Sequence, residues 1–174
     1  MSSIRKTIRD NVATLIGAMR YSDGYNLDWS PCNQIDVPVR YVFVDEATQR
    51  YVYVPHAMVT LGDEECVDDD NAAWSGSYTN EITLQIRVDA PQVLESINPN
   101  FSIDDPIDYA IDDLKRLFGK NPSANSAGCL PIMYKGAKKA EMYKTGDIFL
   151  PKYIETEWLV RYVQDREEPS QLSQ

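Results

Sequence analysis

The sequence is poor in several residues on which enzyme chemistry most often depends. It has one histidine, His56, in the strand-like run His56 to Leu61 (HAMVTL). A Ser-His-Asp or Cys-His arrangement therefore has one possible base and no motif to place it, and a lone histidine in such a run reads as structural. No glycine-rich loop of the GxGxxG or Walker type occurs, which removes the usual seat for a phosphate cradle. The three cysteines, Cys32, Cys66 and Cys129, are widely spaced and form no CxxC pair, which argues against a disulfide scaffold or a zinc site and fits a reducing cytosol. Basic residues are outnumbered: 17 Lys and Arg stand against 27 Asp and Glu, a formal net charge of -10. A groove that neutralises phosphates is thus disfavoured. No stretch approaches the roughly 20 apolar residues that span a bilayer, and MSSIRKTIRD lacks a signal-peptide core. The expectation is a soluble, intracellular protein with no catalytic residue, cofactor or metal.

Apolar residues are plentiful enough for one core. With 174 residues, 43% hydrophobic, the chain reads as a single domain over 1–165, followed by a polar tail, 166–174, expected to be flexible. Ile4, Ile8, Val12, Leu15, Ile16 and Met19 recur at spacings of three and four, predicting an amphipathic helix over about residues 3–20 with Ser2 or Ser3 as its cap. A second helix is announced by Asp105 as N-cap and Pro106 at its first position. Its stripe is Ile107, Ala110, Ile111, Leu114, Leu117 and Phe118, and Gly119 is the expected stop. The clearest strand is Tyr78 to Asp89, where Ile82, Leu84, Ile86 and Val88 alternate with polar residues. Further runs are Val37 to Val44 and Tyr51 to Val54, joined as a hairpin across Asp45 to Arg50, then His56 to Leu61, Leu130 to Lys135 and Tyr153 to Gln164. Strict alternation favours antiparallel pairing with one covered face. The fold class is therefore α+β: a mainly antiparallel sheet with two amphipathic helices packed on one face.

Three polar stretches stand out. YSDGYNLDW (21–29) reads as an elbow between helix and sheet: Gly24 turns the chain, Tyr25 and Trp29 dock on the core, and Asp23 or Asp28 bonds backbone at the turn. GDEECVDDDN (62–71) holds Glu64, Glu65, Asp68, Asp69 and Asp70. It lacks the interior glycine and closing glutamate of a calcium loop and reads as a solvated acidic loop. YKGAKKAEMYK (134–144) carries Lys135, Lys138 and Lys139 interleaved with Tyr134 and Tyr143: a contact for a strand of nucleic acid, more often an exposed loop or a sheet edge where lysines block unwanted pairing, or a surface that meets an acidic patch on another copy.

The order of elements resembles the tail terminator, or tail completion, proteins of long-tailed bacteriophages. The likeness runs over residues 3–165: a first amphipathic helix followed by DGYNLDW, strands ending in an acid-rich turn (HAMVTLGDEE), a long alternating strand closed by Asp-Ala-Pro (YTNEITLQIRVDAP), a Pro-started helix and a closing strand. The hairpin around Asp45 to Arg50 and the stretch from Ala137 to Pro151 depart from that pattern. The resemblance implies a structural virion protein, assembled in the host cytoplasm, that forms a homo-hexameric ring on the finished tail tube. Its partners would be the tube protein, the connector or neck proteins and, in a contractile tail, the sheath protein, with DNA passing through unbound. Acidic side chains among Glu64, Glu65, Asp68, Asp69 and Asp70 would then face the bore or the tube. A head-closure or adaptor ring of the neck is an alternative, and a small metal-dependent hydrolase built on Asp23 and Asp28 is a second.

Overall fold

The computed structural model describes residues 3–32, 40–42, 44–45, 47, 50–51, 53–67, 77–93, 104–126, 128–145 and 148–165. Two helices, α1 (Ile4–Gly17) and α2 (Asp104–Lys120), accompany eight strands: β1 (Arg40–Val42), β2 (Val44–Asp45), β3 (Arg50–Tyr51), β4 (Ala57–Cys66), β5 (Ser77–Asp89), β6 (Pro91–Val93), β7 (Met133–Thr145) and β8 (Ile148–Asp165). Four of them form the main sheet in the order β4-β5-β8-β7, every neighbouring pair antiparallel. The expected hairpin around Asp45 to Arg50 forms, with Val44 opposite Tyr51 and Asp45 opposite Arg50. Strand β1 instead pairs in parallel with β6. The fold is α+β with a mainly antiparallel sheet, as the alternation in β5 predicts.

The core lies between one face of this sheet and the two helices. Ile82, Leu84, Ile86 and Val88 of β5 are buried together with Ala57 and Val59 of β4, with Ile154, Trp158, Val160 and Tyr162 of β8, and with Ile4, Ile8, Val12 and Ile16 of α1. From α2 come Ala110, Leu114, Leu117 and Phe118, and Ile107 of the same helix is buried as well. Each large aliphatic side chain removed from water contributes about 1.5–3 kcal/mol, which is why two apolar stripes and one apolar sheet face find one another.

Several expected boundaries move. Helix α1 stops at Gly17 rather than near residue 20, and Arg20 turns back so that its guanidinium donates to the carbonyls of Gly17, Met19 and Trp29 at 2.7–2.8 Å. Those bonds satisfy carbonyls that the helix end leaves open. Position 17 favours glycine, because a Cβ there would lie 3.1 Å from the Pro31 Cα, a tight contact. Met19 remains buried beyond the helix end. Ser3 occupies the N-cap position of α1 without a side-chain capping bond. Helix α2 runs through Gly119, the expected stop, to Lys120; the Asn121 backbone and side-chain N–H groups then donate to the Leu117 carbonyl at 2.8 and 3.1 Å.

The largest correction concerns the acidic run. Asp63, Glu64 and Glu65 are not in a loop but in β4, which continues to Cys66 and pairs Glu64 with Ile82 and Glu65 with Glu81 after a bulge between Leu61 and Glu64. A bulge inserts an extra residue and re-aims the side chains that follow it. Asp68, Asp69 and Asp70 fall outside the described residues. The lysine stretch is also strand: β7 starts at Met133, extends far beyond the expected Lys135, and folds back into β8 with Thr145 opposite Ile148.

Candidate functional site

The elbow is held by a carboxylate that comes from helix α2. Asp113 is fully buried, and its two oxygens accept hydrogen bonds from the backbone N–H of Asn26 at 2.7 Å, the backbone N–H of Leu27 at 3.0 Å and the Trp29 indole N–H at 3.1 Å. Burial pushes the Asp113 carboxyl above its usual range, against the opposing pull of these donors and of Arg116. Around it, Tyr25, Leu27 and Trp29 are buried, as docking aromatics should be. The Arg116 guanidinium donates to the Gly24 carbonyl, Lys120 donates to the Asp23 carbonyl at 3.1 Å, and the Lys120 ammonium lies 4.5 Å from the Tyr25 ring centroid. These cations sit at the C-terminal end of α2, where the helix dipole favours them.

Within the elbow, a single 3-10 turn (Tyr21–Asp23) ends at Gly24, whose φ is 84°. The Asp28 Oδ1 accepts the Tyr21 backbone N–H at 2.8 Å, so this carboxylate braces the turn. Of the two aspartates it is Asp28 that bonds backbone, while the Asp23 carboxylate accepts the Ser22 hydroxyl at 3.3 Å. No atom lies within 4 Å of a Cβ placed on Gly24, so the cost of a side chain there is in the backbone alone. Gly24→Val is expected to lower stability by about 1–2 kcal/mol, the cost of a β-branched residue at positive φ. A chemical denaturation curve checks this, and an unchanged midpoint would contradict the role given to Gly24.

The acidic residues are divided by the bulge in β4. Glu64 faces the helix side, where its carboxylate accepts the Tyr162 hydroxyl at 2.8 Å and pairs with Arg5 of α1 at 3.2 Å. Burial and the Glu64 charge raise the Tyr162 hydroxyl above its ordinary range. Asp63 and Glu65 are exposed. On the sheet face away from the helices, Glu155 is buried between Arg87, at 2.8 Å, and Lys138, at 2.9 Å, and Lys138 also reaches Glu157 at 3.3 Å. Burial works against ionisation of Glu155, but the two cations hold its carboxyl below the usual range. Arg161 and Glu81 pair at 2.7 Å farther along the same face. Lys138 is thus engaged within its own sheet, and Lys135 and Lys139 lie on the same edge strand, β7, with exposed side chains.

Two of the three cysteines, Cys32 and Cys129, are largely shielded from water. Burial pushes the Cys32 thiol up to about 12 and the Cys129 thiol up to about 11, so neither forms a thiolate readily near neutral pH. His56 is half-buried beside Asp89, whose Oδ1 accepts the His56 backbone N–H at 2.6 Å. Among the described residues no group of three His, Cys, Asp or Glu side chains is arranged to hold a metal ion, and no helix is long and apolar enough to cross a membrane. The arrangement can brace a loop, neutralise charge across a sheet face and present two chemically different edges. No family model matches the sequence, and no curated protein does.

Reasoning from the sequence found the elbow but missed Asp113, its anchor. Position 113 lies on the flank of the α2 stripe, next to Leu117 and Ala110 on the helix surface, and a carboxylate there was the available signal. Arg5 and Glu155 were equally missed, because only the sheet register brings their partners alongside.

Proposed function

We propose that this chain is a structural virion protein that caps the tail tube of a long-tailed phage as a closed ring, ending tube growth and offering a joining surface to the head. The supporting observation is a four-stranded sheet with both described helices on one face and two outer strands, β4 and β7, left without a neighbour in the described chain. A block of this shape extends sideways by contact with copies of itself. A ring that binds the exposed end of a tube on one side, and offers a different surface on the other, ends the polymer. The overall charge of -10 suits a collar through which DNA slides, because carboxylates repel phosphates that a basic bore would trap. Charge pairing on the face away from the helices serves the same purpose: the cations of Arg87, Lys138 and Arg161 are matched by glutamates.

Adding the purified protein to bare tail tubes and imaging them by negative stain tests the proposal. Rings seated at tube ends, with elongation stopped when tube subunits are supplied, are the expected result. Attachment to DNA-filled heads with tube ends left bare would favour the neck-adaptor alternative. Binding to neither would remove the virion reading altogether.

A further inference from the structure

We infer that copies of this chain join head to tail through the two lateral edges of the main sheet, the start of β7 on one copy meeting the end of β4 on the next. The inference rests on the ring reading above and names the contact that would close it.

The two edges are unlike and complementary. At the β7 edge, Leu130, Met133 and Tyr134 are exposed by 45%, 42% and 38%, a set of large apolar side chains close together in the chain. Two lysines lie beside them: the Lys115 ammonium, which also pairs with Asp112 at 3.7 Å, lies 4.9 Å from the Tyr134 ring centroid, and exposed Lys135 follows Tyr134 in the strand. Exposed apolar groups flanked by cations have the anatomy of an interface centre with a charged rim. At the opposite edge, β4 ends in exposed Asp63 and Glu65, followed by Val67, which is 40% exposed.

Register places these features at one height. Met133 is opposite Leu159, Leu159 is opposite Thr83, and Thr83 faces the bulge between Leu61 and Glu64, where Asp63 lies. Three successive antiparallel pairings also make β7 run opposite to β4. Copies related by rotation about an axis along the strands would therefore bring antiparallel edges together, with lysines beside carboxylates. The join is made by side chains. At its middle the β4 edge is already engaged, since Arg5 donates to the Gly62 carbonyl at 3.0 Å and the bulge interrupts the ladder.

A second copy is the occupant that the charges favour. The chain carries a net charge of -10, and Asp63 at the other edge lies close to the level of Tyr134 and Lys135, since Tyr134 is opposite Trp158, Trp158 opposite Leu84 and Leu84 opposite Leu61. Because the two surfaces differ, the contact is heterologous: it repeats until it closes a ring or continues as a filament, and it does not stop at a two-fold dimer.

Charge reversal on each edge tests this. One variant carries Lys115→Glu and Lys135→Glu, the other Asp63→Lys and Glu65→Lys. All of these side chains are exposed, and circular dichroism confirms that each variant is folded. In sedimentation velocity at low salt, wild type is expected to form species larger than a dimer and to dissociate as salt rises. Each variant alone should associate at least about tenfold more weakly, and a mixture of the two should regain assembly because the reversed edges match each other. A wild type that stays monomeric at low salt, variants that assemble like wild type, or a mixture that stays monomeric would each overturn the edge contact. If the variants assemble and cap tubes normally, the edge assignment falls while the capping reading stands. If wild type associates through these edges but ignores tube ends, the capping reading falls while the edge contact stands.

Discussion

Asp113→Ala is expected to lower the folding free energy by about 3 kcal/mol or more. The substitution leaves three donors, the Asn26 and Leu27 backbone N–H groups and the Trp29 indole, without the acceptor they share. Each buried donor left unsatisfied costs about 1–3 kcal/mol, and water entering the gap recovers part of that. Asp113→Asn keeps the shape but supplies one acceptor oxygen and a donor amide among three donors, so it should be destabilised as well, by less. The sign of the pH effect follows from burial. Asp113 titrates above the ordinary carboxylate range in the folded protein, so the fold holds this proton more firmly than the unfolded chain does. The stability tied to its titration is fully present below the unfolded value and is lost as pH rises through the folded value. The stability difference between wild type and Asp113→Asn should therefore shrink as pH rises through that window. Urea denaturation of both proteins across the acidic range measures it; a difference that widens with pH would show that the donors outweigh burial at Asp113, and an alanine variant as stable as wild type would contradict its anchoring role.

Trp158→Ala is expected to cost about 3–5 kcal/mol, the usual range for deleting a buried large aromatic. Trp158 is 2% exposed; its ring centroid lies 4.6 Å from that of Phe118 on α2 and 4.8 Å from that of Tyr134 on β7. Its indole N–H donates to the Thr156 hydroxyl at 2.8 Å, and that hydroxyl donates to the Ile86 carbonyl at 3.1 Å. One side chain thus ties helix α2 to three strands. Removing it opens a cavity and strips Tyr134 of its support. Thermal melting followed by near-ultraviolet circular dichroism reads both effects, and a loss below about 1 kcal/mol would show that the site collapses around the missing ring.

How much of this was legible in the sequence depended on how far apart the interacting residues lie. The β5 alternation and the two helical stripes are local patterns, set by periods of two and 3.6 residues, and every apolar residue they single out in β5 is buried. The elbow was legible because Gly24 and the aromatics after it are neighbours in the chain. The fate of the acidic run was not. Whether Asp63 to Glu65 form a loop or continue a strand depends on a partner, β5, and on a bulge that leaves no mark in composition. Their division is settled by Arg5 and Tyr162, which are distant in sequence. Lys138 was misjudged for the same reason: three lysines look alike in the sequence, but one of them stands opposite Glu155 across the sheet. The candidate interface was half visible, as lysines on a possible edge, while the exposed apolar side chains beside them emerged only once β7 had a register.

The middle of the sheet is assembled out of chain order. Strand β5 has β4 on one side and β8 on the other, with Ser77 joined to Asp165 and Asp89 to Tyr153, and β8 follows every other described element. During synthesis the β4–β5 hairpin therefore emerges with one long side bare, and it stays so until the final strand leaves the ribosome and slots in. Closing so many distant contacts at the end places this topology among the slower folders for its size.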